Sequence, residues 1–100
     1  MLNGIESFEV YPSDLKGQYN WEDAKSACDK LGEGWRLPTK PELNDMYQRR
    51  DEIGGFIDNY YWSSTEDVNR YVMFQDFDGG RELNVNKNGT YYVRPVRNTK

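Results

Sequence analysis

The segment Gly34-Trp35-Arg36-Leu37-Pro38-Thr39-Lys40-Pro41-Glu42-Leu43 limits this chain more than any other stretch. Thr39 and Glu42 have the spacing of a capping box, in which a threonine hydroxyl and a glutamate carboxylate satisfy free N–H groups at a helix start. Pro41 falls in the first turn, where its missing N–H costs nothing. Upstream, Gly32 and Gly34 end an earlier helix. Trp35 and Leu37 are expected to enter the core between the two helices. The segment is therefore read as a fixed corner between helices, with little room for catalysis.

The first helix is expected to start at Asn20, a favoured N-cap residue, with Asp23 placed to suit the positive helix end. Trp21, Ala24, Cys28 and Leu31 recur at intervals of three, four and three, which draws one apolar stripe along it. The second helix is expected over residues 40–50, with Leu43, Met46 and Tyr47 inward and Asn44, Asp45, Gln48 and Arg49 outward. Before the helices, residues 5–11 alternate with period two and read as a strand. After Gly54-Gly55, with Phe56 and Ile57 tucked under that loop, the chain reads as sheet. Residues 60–65 are aromatic and hydroxyl-rich, and residues 70–77 have apolar side chains on both faces, as a central strand has. Asp78-Gly79-Gly80 supplies a turn, and Leu83 and Val85 alternate with Glu82, Asn84 and Asn86 in the next strand. Asn88-Gly89 is a strong hairpin signal, so residues 91–97 are expected to return beside that strand and to end near Pro95. Strand, helix, helix and then a meander of about four strands make an α+β domain. The whole chain, 1–100, is read as one domain.

Aromatic residues are 15% of the sequence and all hydrophobic residues only 36%, so rings must supply much of the core. The net charge of −4 argues against a nucleic-acid binder, which needs a basic patch. Arg49-Arg50 and the group Arg94, Arg97 and Lys100 are small local exceptions, read as solvated surface. With no histidine and one cysteine, Ser-His-Asp catalysis, Cys-His catalysis, the usual zinc sites and an internal disulfide are all excluded. No apolar run follows positive charge in residues 1–20, so no signal peptide is expected. No stretch approaches a membrane span, so no membrane insertion is expected. The chain reads as a soluble protein made in the cytosol or as a module of something longer.

Four motifs in order resemble one family of bacterial and phage proteins. They are Trp21, Ala24, Cys28, Leu31 and Gly32; Gly34 through Thr39 with Glu42 and Leu43; Tyr61-Trp62-Ser63-Ser64-Thr65-Glu66; and Tyr92-Val93-Arg94-Pro95-Val96-Arg97. The family is named after the C-terminal domain of the Legionella collagen-like protein. The resemblance covers about residues 19–97. It implies a C-type-lectin-like fold, with two helices packed on an antiparallel sheet meander and the N- and C-terminal strands paired, which would bring Phe8 and Val93 into one sheet. The calcium and sugar motif of animal C-type lectins is absent, so the resemblance implies a scaffold for binding or assembly.

Several groups of residues have the chemistry of a site. Asp76, Asp78 and Glu82 fail the spacing of an EF-hand and read as a hairpin turn, and no cofactor or metal is expected. Cys28 reads as core, and Ser63, Ser64 and Thr65 as hydroxyls that satisfy backbone groups. Trp35, Arg36 and Arg94 are expected to form one structural unit, an arginine stacking on a ring or pairing with Glu42 or Glu66. The binding candidates are Tyr60, Tyr61, Tyr71, Asn84, Asn86 and Tyr91, with Asn69 and Tyr92 beside them. No enzyme is expected. One reading is a small virion protein, decorating a capsid, head fibre or tail fibre and contacting other virion proteins or further copies of itself. The other is a carbohydrate- or receptor-binding module of a bacterial surface protein, with a host glycan as partner.

Overall fold

The computed structural model describes residues 8–67 and 71–99. Residues 5–7 of the expected first strand, together with Asn69, Arg70 and Lys100, lie outside them. In order, the elements are β1 (Phe8–Val10), α1 (Trp21–Leu31), α2 (Lys40–Gln48), α3 (Arg50–Ile53), β2 (Tyr60–Glu66), β3 (Tyr71–Asp76), β4 (Glu82–Asn86) and β5 (Val96–Asn98). The domain is α+β, with two antiparallel sheets ordered β1-β5 and β2-β3-β4.

Both long helices begin as their sequences dictate. Asn20 Oδ1 accepts from the Asp23 N–H at 2.9 Å. In α2 the Thr39 hydroxyl accepts from the Glu42 N–H at 3.3 Å, and Glu42 Oε1 accepts from the Thr39 N–H at 2.9 Å. A further free N–H, that of Lys40, donates to Thr65 Oγ1 at 2.9 Å, so the sheet completes the cap. Between the helices, Gly32, Glu33 and Gly34 have φ of +75°, +59° and +85°. Glycine adopts this left-handed backbone freely and glutamate does not. The helix expected over residues 40–50 is interrupted at Arg49, whose φ and ψ of −110° and 20° leave helical geometry before α3 resumes.

The terminal strands pair as the resemblance implied: Phe8 faces Asn98, Glu9 faces Arg97 and Val10 faces Val96. The link from the glycine corner joins them, because Arg36 and Val96 exchange backbone hydrogen bonds at 2.8 Å each way. Val93 is not part of this pairing. Its carbonyl accepts from the Leu15 N–H at 2.9 Å, in the loop ahead of α1. The last strand begins after Pro95 rather than ending there, since Pro95 contributes only its carbonyl, to the Tyr11 N–H at 2.8 Å.

The expected fourth strand of the meander does not form beside β4. Tyr91 exchanges hydrogen bonds with Tyr19 at 2.9 and 3.0 Å, and Tyr92 bridges β2 in parallel. Asn88-Gly89 does turn the chain, with Asn86 Oδ1 accepting from the Asn88 N–H at 2.7 Å. Gly89 is outside the left-handed region that the tight hairpin turn demands. Its role is steric: a Cβ there would lie 2.8 Å from the Tyr91 ring, which folds back across it. The segment therefore crosses to the far side of β2 and leaves β4 at the edge.

The core has two parts, one on each face of the β2-β3-β4 sheet. Trp21, Ala24 and Cys28 of α1 pack with Leu37, Trp62, Val72, Phe74 and Val93. Leu43 and Met46 of α2 pack with Phe8, Tyr61, Phe77 and Val96. Leu37 is buried as expected, but Trp35 is only half-buried. Where the link leaves the glycine corner, Tyr11 meets the Trp35 ring edge-on at 4.9 Å, and Arg97 lies over it at 4.5 Å.

Candidate functional site

In the antiparallel pairing of β3 and β4, Tyr71 faces Asn86, Met73 faces Asn84 and Gln75 faces Glu82. Residues directly opposite one another project to the same side of a sheet. α2 covers one end of this side: Gln75 is buried, and its Nε2 donates to Asn44 Oδ1 of α2 at 3.0 Å. At the other end no described helix covers it. Tyr71 is 44% exposed, Asn84 and Asn86 are exposed, and Met73 is half-buried between them. Asn84 donates to Asp67, which fixes its carboxamide. Lys40 Nζ lies 3.8 Å from Glu82 Oε1 at the border with α2. The result is an open patch of one large ring, a thioether and two carboxamides on rigid strands.

Three of the six candidates thus come together: Tyr71, Asn84 and Asn86. The other three do not join them. Tyr60 and Tyr91 lie on the opposite face, both 4.9 Å from the Phe74 ring and 5.6 Å from each other. Both are half-buried against the core. Tyr61 is fully buried. Its hydroxyl donates to Asp14 Oδ2 at 2.7 Å and accepts from the Ile57 N–H at 2.9 Å. Burial, with the Asp14 carboxylate beside it, pushes the Tyr61 phenol well above the ordinary tyrosine range. Tyr61 ties loops together and is out of reach of a partner. Tyr92 is half-buried against the second core, with its backbone in the β2 bridge. Asn69 lies outside the described residues.

The groups with chemical potential are held in structural roles. The Ser63 hydroxyl donates to the Met73 carbonyl at 2.7 Å and accepts from the Thr65 N–H at 3.1 Å, and the Ser63 carbonyl accepts from Trp21 Nε1 at 2.9 Å. Burial, with the Asp29 carboxylate nearby, pushes the Cys28 thiol up to about 12. Asp76 Oδ1 accepts from the Asp78 N–H at 2.9 Å, and its other oxygen faces Arg81 at 3.8 Å, so this acidic turn is internally satisfied. Among the described residues, no three His, Cys, Asp or Glu side chains are grouped to hold a metal ion.

The arginines divide differently from expectation. Arg36 makes a two-pronged pair with Glu42 at 2.8 and 3.0 Å, as anticipated. Burial raises the Glu42 carboxyl, but hydrogen bonds from Arg36 and Thr39 outweigh it and hold the group below the ordinary glutamate range. Arg94 joins neither Trp35 nor Arg36. It pairs with Asp14 and lies 4.1 Å over the Phe56 ring. Arg97 takes the place beside Trp35 and also pairs with Glu9 and Glu33.

A cleft of about 320 Å³ beside α1, walled by Lys25, Asp29, Trp35, Arg36 and Ser64, was not anticipated. Sequence reasoning does not find it, because a tryptophan at position 35 reads as core; the signal for it is the glycine corner that carries the link past the helix.

The sequence model of the Lcl C-terminal domain family matches residues 7–97, nearly the whole chain. The chain belongs to this family. The match runs from β1 to β5 and so takes in both sheets and all three helices described. No curated protein matches the chain. Membership in the Lcl C-terminal domain family points to a surface or binding module. Among the described residues of this Lcl C-terminal domain, no helix is long and apolar enough to cross a membrane.

Proposed function

We propose that this domain is a non-catalytic binding module that holds a partner protein on the open patch of Tyr71, Met73, Asn84 and Asn86. The observation that carries this reading is Tyr71, a large ring 44% exposed on a central strand, flanked by exposed carboxamides. Tyrosine offers a large contact area at small entropy cost, and asparagine supplies adaptable hydrogen bonds. The absence of histidine from the sequence, the burial of Cys28 and the backbone work of Ser63 all favour binding over catalysis. Within this class, the preferred role is a small structural protein displayed on a phage particle, as a decoration or fibre component. The second reading is a glycan- or receptor-binding module of a bacterial surface, for which the cleft beside Trp35 is the candidate. It ranks second because Arg97 lies over the Trp35 ring and Tyr11 meets it edge-on, so part of its stacking surface is already engaged.

The test is binding by surface plasmon resonance to the structural proteins encoded beside its gene, and to a glycan array. Tyr71→Ser with Asn84→Ala should weaken protein binding by about thirtyfold, the effect of losing a central hot spot, with an unchanged melting midpoint. Glycan binding that survives this double variant and is lost on Asp29→Ala would replace the first reading with the second.

A further inference from the structure

We propose that β4 is a self-association edge, through which two copies of this chain pair antiparallel about a two-fold axis at Asn84. Their three-stranded sheets would join into one of six strands. This inference does not depend on what the open patch binds.

β4 ends its sheet, and among the described residues no backbone group of residues 83–85 bonds to anything beyond β3. The competing edges are occupied or short. Among the described residues, Tyr92 closes the far side of β2, Arg36 closes the far side of β5, and β1 has three residues. Natural proteins blunt open edges with proline, lysine, bulges or a covering element. β4 contains no proline, glycine or lysine, and its register against β3 runs unbroken from Tyr71–Asn86 to Gln75–Glu82.

The edge is complementary to itself. About Asn84, Glu82 would face Asn86 of the second copy, and the two Asn84 carboxamides would face each other, each with one N–H given to Asp67 and its second N–H and oxygen left for the pairing. On the other face, Leu83 would meet Val85 of the second copy. These two are half-buried at the margin of the core that holds Val72 and Phe74, so the pairing extends that core. No like charges meet within the strand. Arg81 and Lys87 flank it, and Arg81 would face Lys87 of the second copy, but each is already compensated within its own chain. Arg81 lies 3.8 Å from Asp76, and Lys87 lies 2.9 Å from Glu66. A dyad normal to the sheet keeps both Tyr71 rings on one side, so the dimer would present the patch twice and bind multivalently.

Sedimentation velocity on the full chain, from micromolar to millimolar, tests the proposal. The wild type should show a concentration-dependent dimer, favoured by salt that screens the net charge of −4 on each copy. Asn86→Asp keeps an oxygen to accept from the Asn88 N–H but sets a carboxylate opposite Glu82 of the second copy, twice in each dimer. It should weaken the dimer about tenfold, the scale expected for two like-charge cross-strand pairs. Adding Glu82→Lys in the same chain turns both contacts into opposite-charge pairs and should restore or exceed wild-type association. Both positions are exposed, and an unchanged melting midpoint for each variant checks the fold. A wild type that stays monomeric to millimolar, or a dimer that Asn86→Asp leaves untouched, overturns the proposal. So does a weakened dimer that Glu82→Lys fails to rescue.

Discussion

Arg94 Nε donates to Asp14 Oδ1 at 2.9 Å, joining the loop ahead of α1 to the closing segment eighty residues later. The Arg94 side chain is fully buried, and its remaining donors reach the carbonyls of Gly54 at 3.2 Å and Tyr11 at 3.4 Å. Asp14 uses its other oxygen to accept from the Tyr61 hydroxyl. One ion pair thus holds four segments of chain together.

Removing one partner of such a pair leaves the other charged and buried. Asp14→Ala should therefore cost about 3–5 kcal/mol, a large share of a small domain's ~5–15 kcal/mol. Arg94→Lys should be almost as harmful, because one ammonium cannot reproduce the fork of donors. Urea denaturation of both variants checks this, and near-wild-type midpoints would show that the pair contributes little.

Two tryptophans should behave differently. Trp62 is fully buried, and Trp62→Ala should cost about 3–5 kcal/mol. Trp35 has partial cover and an edge-on ring contact, so Trp35→Ala should cost only about 1–2 kcal/mol and leave the domain folded. Thermal melts of the pair decide it; an unfolded Trp35→Ala would return Trp35 to the core.

Cys28 sets an alkaline limit. Its folded value is raised to about 12 by burial, with Asp29 beside it, against about 8.5 for an unfolded thiol. The unfolded state loses the proton first as pH rises, so stability is full below about pH 8.5 and declines from there towards pH 12. Between pH 8.5 and 10 the decline approaches 1.4 kcal/mol per pH unit. Cys28→Ala should flatten that slope in denaturation series at successive pH values.

Glu42 governs the acid side. Its folded value is depressed, so the stability it provides is present above the unfolded value of about 4.3 and is lost as pH falls through the folded one. Gln at this position keeps the helix cap but not the charge pair with Arg36. Glu42→Gln should be about 1 kcal/mol less stable at pH 7 and show a shallower loss below pH 4.3, read from acid titrations of both proteins.

Calcium should have no effect. The carboxylates of Asp76 and Glu82 are engaged by Asp78, Arg81 and Lys40. A ligand that binds the folded state must raise the melting midpoint. Millimolar calcium or chelator should leave it unmoved, and a rise of several degrees would reveal a site at this turn.

Local chemistry made the helix starts, the glycine stop and the β3–β4 pairing legible, because each depends on residues a few positions apart. The Thr39–Glu42 box, the Asn20 cap and the alternation around Leu83 and Val85 needed no distant partner. Within the candidate patch, alternation identified Asn84 and Asn86 as facing one way. It could not tell which end α2 covers, nor that Tyr61 is consumed by Asp14.

The sequence by itself determined the α+β class, the helix boundaries at Asn20, Gly32 and Thr39, and the aromatic character of the core, since all three follow from local hydrogen bonding and residue type. Tertiary structure decided where residues 91–95 run, what Arg94 pairs with and how far Trp35 is buried. Asn88-Gly89 favours a hairpin locally, but the backbone hydrogen bonds of Tyr91 with Tyr19 and of Tyr92 with β2 carry the chain across the sheet. Summed long-range contacts outweigh one turn preference, and the edge left open at β4 is the consequence.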